Sequence, residues 1–225
     1  MWIFPKFLQM MMFIRRRAWL WSHCAGSARG AAQLRRTEFY INGRWVPPAA
    51  AEELTVTNPA TEAPLGLVSA GTAKDVDAAV TAARRAWPDW SASDKDTRLA
   101  LLRRLAEIYA SRKVEMAATI SAEMGCPMKL ATSAQAAAGL GHIKHFIRVL
   151  EHFQFEEKLS MPDARPDAPA EWLMHESVGV CGLITPWNWP MNQVTYAACE
   201  ACVSKCQHAS ACVVVVLALC PRSAP

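Results

Sequence analysis

The stretch Glu176-Ser-Val-Gly-Val-Cys-Gly-Leu-Ile-Thr-Pro-Trp-Asn-Trp-Pro190 decides how the chain is read. Val178 to Ile184 is an apolar run notched by Gly179 and Gly182, and it stops at a turn-rich Thr185-Pro186-Trp187-Asn188 segment. A short apolar run bounded in this way predicts a strand buried on both faces, as in a parallel sheet. Upstream, Trp172-Leu173-Met174-His175-Glu176 reads as a further strand. Before that, Pro162, Pro166 and Pro169 stand among Asp163, Arg165 and Asp167, so Ser160–Ala170 reads as a loop or linker.

Toward the N-terminus the pattern turns helical. Thr72 with Asp75 three residues on resembles a capping box. Val76, Ala79, Val80, Ala83 and Trp87 recur at helical spacing, with Pro88 expected to end the run. A second helix is expected from Ser93 or Asp94, with Leu99, Leu102, Leu105, Ile108 and Tyr109 as its buried stripe. A third, from about Val114 to Met124, should stop at Gly125-Cys126-Pro127, and a fourth, rich in alanine, spans about Met128 to Phe153. Ahead of the helices, Phe39–Val46 carries Asn42-Gly43, a hairpin signal. Leu54–Thr57 and Leu65–Ser69 complete a small antiparallel unit.

Composition excludes several classes. The net charge of +4 comes from residues 1–36, which hold Lys6, Arg15, Arg16, Arg17, Arg29, Arg35 and Arg36 and no acid. Removing those seven of the 24 bases leaves 17 against 20 acids, a net of −3, so no basic nucleic-acid footprint exists. Met1–Ile14 is apolar but precedes its arginines, the wrong order for a secretory signal, and is too short to span a bilayer. Residues 1–36 are therefore an unassigned leader, read as upstream sequence outside the fold or as a mitochondrial transit peptide. The eight cysteines do not form a spread-out disulfide framework, since five crowd into residues 199–220. The body reads as a protein of a reducing compartment, cytoplasmic or, given the leader, mitochondrial.

The signature at 176–190 resembles that of the NAD(P)-dependent aldehyde dehydrogenases. Tyr40-Ile-Asn-Gly-Arg-Trp45, Asn58-Pro-Ala-Thr-Glu62, Ala78-Ala-Val-Thr-Ala-Ala-Arg-Arg-Ala-Trp87 and Glu123-Met-Gly-Cys-Pro127 resemble further family segments, in the family's order. The resemblance covers about residues 39–196. It implies an α/β fold: the N-terminal part of the aldehyde dehydrogenase fold, truncated, with a Rossmann-like cofactor domain. Residues 37–196 would form part of that domain, with a piece of the oligomerisation arm at about 160–177. The family's fold has no need of a G-x-G-x-x-G fingerprint, and none follows a strand here.

The resemblance also implies chemistry: oxidation of an aldehyde to a carboxylic acid with NAD or NADP, in a homo-oligomer. A cysteine thiolate attacks the aldehyde, hydride passes to the nicotinamide, and a glutamate activates water. By the Pro-Trp-Asn match, Asn188 would donate its amide to the oxyanion. Ile184, Thr185, Pro186 and Trp187 would line the cofactor cleft, where open α/β sheets bind ligands. The residues alone also allow Asn188 to be a loop asparagine in an Asx-turn and Trp189 to be core. Cys181, six residues from His175, would lie roughly 20 Å from it along one strand, so the two form no activated pair there. Cys126 and Cys181 are expected to be buried hydrophobes, and His142 and His145, three apart, to lack further metal ligands.

After Tyr196 the resemblance is expected to fail. Residues 197–225 read as a Cys-rich tail, not native-like, and the nucleophile and base regions are absent from the chain. Cys199-x2-Cys202-x3-Cys206 with His208 offers a weaker zinc reading; no metal site is assigned. The chain is expected to be inactive, or alternatively to be a non-catalytic truncated subunit that associates with a full-length enzyme.

Overall fold

The computed structural model describes residues 34–159, 169–204 and 207–208. Most of the leader, Ser160 and the linker prolines Pro162 and Pro166, Cys206 and residues 209–225 lie outside them. Nine short strands and four helices make up the described chain, the strands lying in four small sheets.

Strands β2 (Phe39–Ile41) and β3 (Arg44–Val46) form the expected hairpin. Asn42 and Gly43 both take positive φ, 50° and 77°, as a two-residue primed turn demands. Tyr40 and Trp45, directly opposite, meet edge to face at 5.2 Å. β4 (Glu53–Thr57) and β5 (Pro64–Ser69) pair antiparallel, again as expected. One strand was not foreseen. β1 (Leu34–Arg36) pairs parallel with β5, so the last three residues assigned to the leader belong to the fold.

Helix α1 (Ala73–Ser91) starts at Thr72 through the anticipated capping box: the Thr72 backbone N–H and hydroxyl both donate to Asp75 Oδ2, at 2.8 and 2.7 Å. Asp75 also accepts from the Ala49 N–H at 2.8 Å, so one carboxylate ties the helix to the chain preceding β4. Pro88 does not end α1, contrary to expectation. It forfeits one backbone bond, but the helix resumes past it, with Ala92 N–H bonding Pro88 O and the buried Trp90 anchoring the last turn.

The second and third expected helices are one, α2 (Lys95–Met124), 30 residues long. No glycine or proline interrupts Ala110–Lys113, so nothing breaks it. Asp94 caps it, accepting from Thr97 N–H at 2.6 Å, and Gly125 ends it at φ 67°. The fourth segment is helical throughout but irregular: one turn at Met128–Leu130, a π-turn at Ala131–Gln135, then α3 (Ala136–His152). The chain then enters β6 (Glu156–Lys158), which pairs antiparallel with β7 (Trp172–Met174) across the undescribed linker.

The main core joins the stripe of α2, namely Leu99, Leu102, Leu105, Ile108 and Tyr109, to Ile143, Phe146 and Leu150 of α3. The helices approach closely at Gly139. A methyl there would come within 2.3 Å of the Tyr109 hydroxyl, which donates to Ala136 O at 2.9 Å. The absence of a side chain on Gly139 is what leaves room for the tyrosine ring between the helices.

The helix after the signature corrects the boundary drawn at Tyr196. α4 (Pro190–Val203) runs straight through it, and Cys199, Ala201, Cys202 and Val203 are buried, three of them in the main core. The start of the supposed tail is therefore part of the folded body. Arg98, fully buried, fixes that end of α4: its guanidinium donates to Val203 O, Ser93 O and Asp94 O, and lies 4.7 Å over the Phe155 ring. A cation at a helix C-terminus satisfies carbonyls that have no partner within the helix.

Candidate functional site

The signature segment begins at a clasp. Trp87 of α1 donates its indole N–H to Ser177 Oγ at 2.9 Å, and Ser177 Oγ also accepts from Gly179 N–H at 3.2 Å. Gly179 takes φ 100°, which favours glycine. The chain then runs extended through β8 (Val180–Cys181), which pairs parallel with β9 (Gln207–His208). The buried, two-faced strand expected over Val178–Ile184 is not what forms. Val180 and Cys181 alone form a ladder among the described residues, with an isolated bridge at Ile184, and the Val178 and Ile184 side chains are 80% and 76% exposed. The covered side is held by α1; the other has no layer upon it among the described residues.

At the end of this strand the candidate residues come together by chain adjacency, and they divide by orientation. Ile184, Pro186, Trp187 and Asn188 are exposed, whereas Thr185 is buried and its hydroxyl has no hydrogen-bond partner among the described residues. Thr185 therefore turns inward, and only its backbone faces the ledge formed by its neighbours. Asn188 makes no side-chain hydrogen bond to any described residue, so no Asx-turn forms. Trp189, expected to be core, is instead 38% exposed.

The loop is short because α4 starts at Pro190, a residue suited to a first helical turn. Gln193 N–H bonds Trp189 O at 3.1 Å, closing that turn. The unpaired N–H groups at the positive end of α4 therefore follow Asn188 directly. The helix is held along its length. Thr195 Oγ1 donates to Met191 O and lies 3.4 Å from His142 Nδ1, and Tyr196 meets His142 and Phe146 edge to face at 5.5 and 5.4 Å. The loop thus hangs between two fixed points, the Trp87–Ser177 clasp and the docked α4.

The cysteines sort plainly. Burial pushes the Cys199 thiol up to about 12 and raises Cys202 too, the latter despite the Arg98 charge nearby. Both thiols are enclosed in the helical core, where burial favours their neutral form. Of the Cys199, Cys202 and Cys206 cluster, Cys206 lies outside the described residues. Cys126, expected to be buried, is half-buried in the turn after Gly125, with Gln135 Nε2 3.9 Å from its sulfur. Cys181 is likewise half-buried. His175 packs its ring against Phe153 at 5.1 Å. Among the described residues no group of three His, Cys, Asp or Glu side chains is placed to hold a metal.

Two meetings of distant motifs are informative. A methyl on Gly125 would lie 2.9 Å from Pro59 Cγ, so Asn58–Glu62 seats on the end of α2 at Glu123–Pro127. Trp87 ends the alanine-rich α1 motif and grips the start of the signature. Segments quoted for the resemblance thus meet in two pairs, 58–62 with 123–127 and 78–87 with 176–190. The model of the aldehyde dehydrogenase family matches residues 45–219, more than three-quarters of the chain.

The chain belongs to the aldehyde dehydrogenase family.

The matched range runs through the whole of α4. Among curated relatives, a 3-succinoylsemialdehyde-pyridine dehydrogenase of Pseudomonas sp. is 45% identical over 170 residues, 75% of this chain and 34% of that protein. Among solved structures, the aldehyde dehydrogenase of Bartonella henselae superposes with a TM-score of 0.72 at 39% identity, covering 78% of this chain and 36% of that one. An aldehyde dehydrogenase of Pseudomonas syringae, solved with NAD+ and octanal, gives 0.70 at 34% identity, covering 76% and 34%. The fold is thus part of the aldehyde dehydrogenase α/β fold, and the chain spans about a third of the length of these relatives.

Proposed function

We propose that this chain supplies the oxyanion donor and one wall of the cofactor cleft for the NAD(P)-linked oxidation of an aldehyde to a carboxylic acid. The observation that carries this reading is Asn188. Its amide is exposed, unengaged by any described side chain or backbone group, and set at the carboxyl end of a parallel strand, immediately before the positive end of α4. When a nucleophile adds to an aldehyde carbon, negative charge builds on the carbonyl oxygen. A fixed N–H donor and a helix N-terminus both stabilise that charge without having to reorganise.

Ile184, Pro186 and Trp187 suit the neighbouring role. They form an exposed, largely apolar ledge on which a planar ring can lie while water is kept from one side of it. Thr185 would contribute through its backbone, since its side chain turns inward. NAD or NADP, when bound, supplies the hydride acceptor. The ledge is one side of a cleft, and the described residues offer no second side.

Cys199 and Cys202 are enclosed in the helical core, away from the ledge, so neither is assigned as the nucleophile. On this reading the 225-residue chain by itself oxidises little or no aldehyde. A second reading, a non-catalytic chain associating with a complete subunit, is favoured by β7, where Trp172, Leu173 and Met174 are all exposed. A reducing, cytoplasmic setting fits the free thiols of Cys126, Cys199 and Cys202. No helix among those residues is long and apolar enough to cross a membrane.

The test is a chimera. Residues 39–196 of this chain replace the matching part of the 45%-identical relative, and turnover of aldehyde with NAD+ is measured before and after Asn188→Ala. The expected result is a fall in kcat of about 100- to 1000-fold with substrate binding little changed, as for loss of one oxyanion donor. Unaltered kcat in the variant would remove Asn188 from the chemistry.

A further inference from the structure

Away from the ledge, one enclosed polar side chain is aimed at a cysteine and left with an unused acceptor. Gln135 is 3% exposed, and its Oε1 accepts no hydrogen bond among the described residues. Its Nε2 lies 3.9 Å from the sulfur of Cys126, in the turn that follows α2. Cys126 is half-buried, so solvent reaches the residue. Both backbones are anchored. Gly125 takes φ 67° and lies against Pro59 and Ala60, and Ser121 Oγ donates to Cys126 O at 2.7 Å. Opposite, the π-turn Ala131–Gln135 closes with Ala136 N–H on Ala131 O, which fixes the base of the glutamine. A buried acceptor without a donor is unfavourable, and a redox role is one reason for a native structure to keep one.

We propose that Cys126 is a site of oxidation by hydrogen peroxide and that Gln135 holds the resulting sulfenic acid. The Cys126 sulfur, as thiolate, attacks one peroxide oxygen. An S–O bond forms and the O–O bond breaks; the sulfur is oxidised by two electrons and the peroxide is reduced. The departing hydroxide takes up the proton that the thiol released and leaves as water. The product carries an S–O–H group where the thiol stood. Its hydroxyl is a donor, and Gln135 Oε1 is an acceptor that lacks one. A thiol donates only weakly, so the amide oxygen matches the product better than the reduced residue. Cys199 and Cys202, by contrast, are enclosed in the core and shielded from peroxide. The site is independent of the role given to Asn188.

The test treats the reduced 225-residue chain with hydrogen peroxide, removes the excess with catalase and adds dimedone, which traps sulfenic acids, after increasing delays. Peptide mass spectrometry reads the adduct at each cysteine. Cys126 should be labelled. Gln135→Met, similar in length but without the amide oxygen, should shorten the life of the Cys126 sulfenic acid by about fivefold, as loss of one hydrogen bond implies. The same change should leave the label at Cys181, also half-buried, as it was. Gln135→Glu keeps an acceptor and should restore most of the lifetime. Loss of an amide whose oxygen is unpaired should not lower the urea midpoint of the reduced chain, so Gln135→Met is expected to stay folded. Three results would overturn the proposal: no dimedone adduct at Cys126; an adduct that lasts as long in Gln135→Met as in the parent; or immediate passage of Cys126 to a disulfide or a sulfinic acid in the parent, which would show that nothing holds the first product. The label does not depend on turnover, so failure of the Asn188 assignment would leave this result standing.

Discussion

The helical body and the signature strand obey opposite rules. In the body, α2, α3 and α4 bury their stripes against one another, and even an arginine and two cysteines are enclosed with their bonding needs met or their thiols neutral. Along 176–189, residues of the same apolar character stand in solvent, and the segment is held by the Trp87–Ser177 hydrogen bond and a two-residue ladder at Val180–Cys181. The contrast teaches that hydrophobic sequence is a demand for a partner. Where the described residues contain the partner, a core forms; where they do not, the same pattern stays exposed.

The comparison can be broken from the side of the body. The largest stability effect is expected at Arg98. Arg98→Leu leaves Val203, Ser93 and Asp94 carbonyls without their shared donor and should cost roughly 2–3 kcal/mol, read as a lowered midpoint in urea unfolding. If α4 were loosely held, as the strand segment is, the midpoint would not move. Gly139→Ala should cost about 2 kcal/mol, because the new methyl meets the ring of the enclosed Tyr109 rather than a movable chain end. A double variant with Tyr109→Phe should recover part of that loss, since the clash is closest at the hydroxyl.

The smallest effect sharpens the comparison through pH. Burial pushes the Asp75 carboxyl up, but the Thr72 hydroxyl and the Thr72 and Ala49 N–H groups outweigh it, and the group titrates below its ordinary value of 3.8. Its folded pKa is depressed, so its contribution is present in full above 3.8 and is lost as pH falls through the folded value. Asp75→Asn should cost about 1 kcal/mol at neutral pH, the worth of a helix cap. It should also flatten the acid limb of a stability-against-pH curve. An unchanged acid limb would mean that the three donors do not hold the carboxylate.

Much of the body was legible because periodicity and punctuation are local. The stripe from Leu99 to Tyr109, the Asp94 start, the Gly125 stop and the Asn42-Gly43 turn all follow from side-chain shape and backbone freedom at single positions. What escaped depends on contacts far apart in sequence. Pro88 stays helical because Trp90 is buried beyond it, and Gly139 matters because Tyr109 lies opposite. Arg98 reads as a surface charge until Val203 is seen beside it. The candidate site shows the same division. Ile184 to Asn188 lie together because they are adjacent in the chain. That Thr185 turns inward, and that one face of the strand is open, depends on layers a sequence pattern does not name.

Amide hydrogen exchange on the intact 225-residue chain tests this division most directly. Amides of α2 between Leu99 and Tyr109 and of α3 between Ile143 and Leu150 should exchange at least about a thousandfold more slowly than those of residues 178–188, as core and low-stability segments do. Equal protection in the two regions would contradict the account, for it would mean that the signature strand is already covered.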